Sequence, residues 1–172
     1  MTSARRWLPL PPETISSTTL LPRIAVGFVF MVSGTLKFLY DNQGAGRFTK
    51  LGLPFPAFTA TAIGGLEVVC GLLLLVGLFT RLASLPLIAD MVVAIWTTKL
   101  PLLLGAGPEP VAAPPKIGGW AFAYQSRLDV TMLLMCAFFV LAGAGAWSVD
   151  AWLARSKLRN GVGSPDSLSA TS

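Results

Sequence analysis

The chain has 172 residues, 53% of them apolar and only 12% charged, which sets it on the hydrophobic side of an ordinary soluble domain. Its net charge of +5 does not mark a nucleic-acid binder, because Arg5, Arg6, Arg23, Arg81, Arg155, Lys157 and Arg159 stand at or beyond the ends of apolar stretches. Histidine is absent, and haem, copper and most catalytic zinc sites rely on imidazole, so no resident metal centre is expected.

Residues 1–22 form an N-terminal segment whose arginine pair is followed by Trp7-Leu8-Pro9 instead of an apolar run, unlike a cleaved leader. Four stretches then reach the roughly 17 to 25 mainly apolar residues that a helix needs to cross hydrocarbon: residues 23–40, 57–79, 82–104 and 128–147. The expected fold class is all-α, an integral membrane four-helix bundle occupying residues 23–154. An even number of spans puts both termini on one side. The bias of cations toward that side makes it cytoplasmic and the location the inner membrane of a bacterium, with the bilayer itself as the first partner.

Between the first two spans, Phe48, Leu51 and Phe55 are expected to face lipid while Arg47 and Lys50 stay in water. Pro54 and Pro56 set an extended entry into the second span. Thr80-Arg81 is expected to join the second and third spans as a tight hairpin, and residues 105–119, rich in Gly and Pro, to form an irregular third connection. Phe38, Tyr40, Trp96, Trp120 and Tyr124 form one interfacial belt, Trp147 and Trp152 the other. Residues 155–172 read as a cytoplasmic, disordered tail.

Charges at bilayer depth are costly, so each is a functional candidate whose partner has to be named. At about 1.5 Å of rise per residue, Lys37 lies about 21 Å and Glu67 about 18 Å from the cytoplasmic ends of their helices, so the two can pair. Gly27 and Gly34 share the face of Lys37, and Gly64 and Gly71 that of Glu67, which brings the two backbones close. Asp90 lies about 12 Å into the third span with no cation on its own face, one turn beyond Pro86. Nearer the outer surface lie Lys99, Arg127 and Asp129: Arg127 and Asp129 form a candidate ion pair, and snorkelling accounts for the two cations. Cys70 and Cys136, about 20 and 15 Å deep, have no C-x-x-C spacing and read as small apolar fillers.

Several segments together resemble one family. The first helix RIAVGFVFMVSGTLKF, the link LGLPFP, the segment GLEVVCGLLLLVGLFTRLA and the end GAGAWSVD are similar in order and spacing to the DoxX family of small four-helix membrane proteins. The likeness covers residues 22–154. It places Lys37, Glu67, Arg81 and Asp150 at recurrent polar positions of the family. Arg127-Leu128-Asp129 resembles an R-x-D of one branch, where a histidine and an acidic residue often precede the arginine and this chain has Tyr124 and Gln125.

The resemblance implies a membrane subunit of a quinone-linked oxidoreductase or redox-defence complex, with electrons supplied by a partner protein and no covalently bound cofactor. On that reading Lys37, Glu67 and Asp90 form the quinone or proton site. More distant relatives act as assembly chaperones, which keeps open a noncatalytic scaffold or assembly factor. A small transporter or proton path is the third reading, and it needs a hydrated route through the bundle.

Overall fold

The computed structural model of the protein describes residues 19–105 and 117–161. Arg5 and Arg6, the middle of the third connection and the last eleven residues lie outside the described residues. Among the described residues every regular element is helical: α1 Leu20–Leu39, α2 Ala45–Lys50, α3 Pro56–Val76, α4 Thr80–Ala94, a π-helical turn Ile95–Lys99, α5 Leu100–Leu103, α6 Gly119–Ala142 and α7 Val149–Gly161. Among the described residues four stretches are long and apolar enough to cross a membrane: α1, α3, the continuous run Thr80–Leu103 and α6. α1 and α4 run away from the face that holds the start of α1 and the whole of α7, here the terminal face. α3 and α6 run back from the opposite, far face.

Packing divides the bundle into two antiparallel pairs, α1 with α3 and α4 with α6. Glycine sets the first pair. A methyl group on Gly34 would stand 2.6 Å from the Gly64 carbonyl oxygen, and one on Gly71 would stand 2.9 Å from that of Gly27, so the two backbones touch where any side chain would force them apart. Val26, Phe30, Cys70, Leu74, Leu87, Met91, Cys136 and Phe139 fill the space between the pairs. Large apolar side chains cover the outside, Leu21, Phe28, Leu72, Leu82, Trp96 and Leu141 among them, as a lipid-facing surface requires.

Several boundaries differ from the sequence expectation, each for a local reason. α3 stops at Val76 because Gly77 turns left-handed at φ 72°, and Thr80 and Arg81 belong to the first turn of α4, so the hairpin link is Gly77 to Phe79. The fourth span is Gly119–Ala142 and not 128–147, since Gly143 at φ 80° and Gly145 at φ 85° end it while Ala144 and Ala146 make the sequence look like continuing helix. The chain then stays helical through Gly161, where a disordered tail had been expected from residue 155. Phe48 is buried on α2 rather than turned to lipid, because α2 packs on α3.

At the terminal face a staple ties these pieces together. Arg23, only 2% exposed, donates from its two terminal guanidinium nitrogens to the carbonyls of Ala144 and Trp147. The Asp150 carboxylate accepts the N–H of Phe79 at 2.9 Å and that of Thr80 at 3.3 Å, so it caps α4 from 70 residues further along the chain. In return the Asp150 N–H donates to the Gly77 carbonyl at 3.0 Å. Arg81 donates to the Leu141 carbonyl at 3.1 Å, which fastens the last turn of α6 to the first turn of α4.

Candidate functional site

A helical side chain leans toward the N-terminus of its own helix. In an antiparallel pair the side chains of the two partners therefore lean toward each other. The glycine contacts put Glu67 level with about Gly34, three positions before Lys37 and about 4.5 Å of rise below it. Lys37 leans back toward the terminal face, Glu67 leans toward the far face, and the ammonium and carboxylate meet in a direct ion pair. Lys37 shares its helix face with buried Phe30 and Val26, so the pair looks into the bundle. The Glu67 side chain is 3% exposed and that of Lys37 15%.

The second helix pair repeats this arrangement. Lys99, at the far end of the run that begins at Thr80, leans back to Asp129 on the returning α6, with Nζ 4.0 Å from Oδ2. The π-helical turn makes this possible, because its extra residue rotates everything after it by about 100° relative to an unbroken helix. Asp129 shares its face of α6 with buried Cys136 and Met132.

The expected pairing of Asp129 with Arg127 is not formed. Residues two apart on a helix point to opposite sides, so Arg127 faces outward, its guanidinium 3.8 Å from the Tyr124 ring centroid and donating to the Tyr124 carbonyl. Sequence reasoning treated Lys99 as a snorkelling cation. The signal that identifies it as Asp129's partner is the π-turn, which leaves no mark in composition.

Asp90 stands between the two ion pairs. It lies within electrostatic reach of Glu67 and Lys37 on one side and of Asp129 on the other. Its Oδ2 is buried and has no hydrogen-bond partner. Asp129 in turn feels Lys99, Lys37 and Arg47 of α2. The structure thus brings Lys37, Glu67 and Asp90 together as the sequence suggested, adds Lys99 and Asp129, and leaves Arg127 out. Each of the four spans contributes at least one charged group to the far half of the interior. Among the described residues no three His, Cys, Asp or Glu side chains are placed to hold a metal ion.

Similarity to other proteins follows the same region. Residues 18–100, which carry α1 through the π-turn, match the DoxX family. An uncharacterized membrane protein of Mycobacterium tuberculosis is 43% identical over 134 residues, 77% of this chain and 79% of that protein. The chain belongs to the DoxX family. A Bacillus subtilis protein named putative oxidoreductase CatD is 28% identical over 144 residues, 84% of this chain and 92% of its own length. An uncharacterized protein of Haemophilus influenzae is 32% identical over 74% of this chain and 84% of its own. No solved structure matches. As a DoxX protein with four spanning helices, the chain is a multi-pass membrane protein whose first partner is the bilayer.

Cys70 and Cys136 are free thiols buried in the apolar core, one on α3 and one on α6. Replacing both with Ala should cost about 1 kcal/mol apiece and leave the bundle assembled. Neither thiol should react with a membrane-impermeant maleimide in intact membranes. Labelling of either from water would mean that the core between the helix pairs is open to solvent.

Proposed function

We propose that this DoxX protein is the integral membrane subunit of a quinone-linked redox system, with its terminal face in the cytoplasm of a bacterium and its charged interior on the outer half of the inner membrane. The observation that carries this reading is the Asp90 Oδ2 atom, a buried acceptor left without a partner between two Lys–carboxylate pairs inside a lipid-spanning bundle. A quinol hydroxyl is a donor that suits such an acceptor, and bound quinone would supply two-electron redox chemistry coupled to protons. Asp90 would orient the headgroup, and Glu67, held in place by the Lys37 ammonium, would pass a proton to the quinone oxygen as the headgroup is reduced. Electrons come from a partner protein. The oxidoreductase name of the Bacillus subtilis relative supports the same class.

Purification in mild detergent, with lipid and quinone analysis of the copurified material, tests the proposal. Quinone should accompany the wild type and the Cys70→Ala/Cys136→Ala variant and be lost from Asp90→Asn. Equal quinone in folded Asp90→Asn would remove Asp90 from the site, and its absence from the wild type would remove quinone from the function.

A noncatalytic scaffold or assembly factor is the second reading, favoured by the closed glycine contacts of α1 with α3 and by the Arg23 staple. In that case neutral variants of Lys37, Glu67 and Asp90 that still fold would support the partner complex as well as the wild type does.

Orientation has its own test. Reporter fusions after Arg159 and in the Gly77–Phe79 link should read as cytoplasmic, and fusions near Asn42 or Pro114 as external. A reporter after Arg159 that is active outside would invert the orientation.

A further inference from the structure

We propose that the outward face of α6 around Arg127 is a binding site for the phosphate of an anionic phospholipid headgroup. Tyr124 holds the guanidinium, Ala123 leaves the room beside it, and Trp120 closes the rim. The site lies outside the charged interior and does not depend on the redox reading.

Trp120, Ala123, Tyr124 and Arg127 follow the three- and four-residue spacing that stacks side chains on one side of a helix, and each is exposed. Trp120 is 82% exposed and Tyr124 45%. The Arg127 guanidinium lies 3.8 Å from the centroid of the Tyr124 ring and also donates to the Tyr124 carbonyl. These two contacts fix its plane. Its remaining N–H donors have no partner among the described residues.

Depth decides which partner they meet. Arg127 stands about 12 Å of rise inside α6 from Gly119, and its side chain leans back to the level of Tyr124, about 8 Å from that end. The helix is 24 residues long, which is about 36 Å against roughly 30 Å of hydrocarbon, so the guanidinium lies a few Å inside the hydrocarbon edge. A cation on the lipid side at that level is costly unless an anion comes to it. Snorkelling alone leaves a long side chain mobile, whereas the ring and the carbonyl hold this one in a single orientation. Phosphate is the anion that the bilayer offers there, and a planar guanidinium grips two of its oxygens at once. A headgroup such as phosphatidylglycerol has no ammonium of its own to compete for that phosphate, so it is favoured over a zwitterionic one.

The contact also steadies the interior. Arg127 and Asp129 are two residues apart, about 200° around the helix, so a phosphate that holds Arg127 at the lipid side keeps Asp129 turned to Lys99. The R-x-D spacing thus has one arm in the bilayer and one in the bundle.

Native mass spectrometry of the full-length protein, loaded in detergent with phosphatidylglycerol or phosphatidylcholine, tests the site. The wild type should bind phosphatidylglycerol about tenfold more tightly than Arg127→Gln does, and its preference over phosphatidylcholine should vanish in that variant. Arg127→Lys should recover only part of the affinity, since an ammonium is a point charge, and Tyr124→Leu should lose severalfold while every charge is kept. Lys50→Gln, which removes another exposed cation near the far face, should bind as the wild type does. Because Arg127 is exposed, Arg127→Gln should keep its helical circular dichroism and thermal midpoint. A wild-type affinity in folded Arg127→Gln or Tyr124→Leu, or an equal loss in Lys50→Gln, would overturn the proposal. Loss of a copurified protein from Arg127→Gln with lipid binding unchanged would overturn it too, and would give this face to a protein partner.

Discussion

Lys37→Met and Glu67→Gln should each lower the stability of the bundle by about 3 to 5 kcal/mol, and the double variant should cost much less than their sum. Glu67 is 3% exposed on its side chain and Lys37 15%, so either deletion strands the remaining partner in a nearly dry interior. Removing both leaves two groups that need no counter-charge. Unfolding in detergent or bicelles, measured for all four members of the cycle, reads the coupling directly. Strictly additive losses would show that the two side chains act independently. Because α1 and α3 also touch through Gly27, Gly34, Gly64 and Gly71, the double variant should keep its helical circular dichroism.

Arg23→Met should be comparably severe, about 3 kcal/mol or more, although the residue looks like an ordinary helix-end cation. Its guanidinium is buried and serves the carbonyls of Ala144 and Trp147, in the glycine-broken link between α6 and α7. Each hydrogen bond from a charged donor contributes about 1.5 to 3 kcal/mol, and of the two carbonyls that of Ala144 keeps only the neutral Thr19 hydroxyl, at 3.3 Å. Arg23→Lys should recover only part of the loss, since one ammonium cannot reproduce a two-armed fork. Thermal unfolding of the three proteins in the same detergent distinguishes this from a purely topological role. A folded, wild-type-stable Arg23→Met would mean that the charge only orients the chain.

How far the sequence carries the reader varies from residue to residue. Lys37 with Glu67 was legible because rise per residue and the spacing of four glycines are properties of any α-helix. Arg23 was not, because a cation at a span end carries the same signature whether it meets lipid headgroups or folds back onto two carbonyls. Asp129 was assigned the wrong partner because Arg127 is its near neighbour along the chain, whereas helix geometry separates residues two apart. Lys99 was missed because a single π-turn rotates it onto the inner face, and nothing in Ile95-Trp96-Thr97-Thr98-Lys99 announces that turn. The end of α6 was misplaced because Ala144 and Ala146 prolong the apolar run past the glycines that break the helix.

The bond from Asp150 to the first turn of α4 changes how C-terminal deletions should be interpreted. A truncation just after residue 147 seems to trim a polar appendage from a finished membrane domain. In fact it strips the cap from the helix that carries Asp90, and it frees the Gly77–Phe79 turn, where Phe79 holds a left-handed φ of 49°. Anything that grips α7 from the aqueous side has mechanical purchase on α4, so a soluble partner could act on the buried carboxyl group without entering the bilayer.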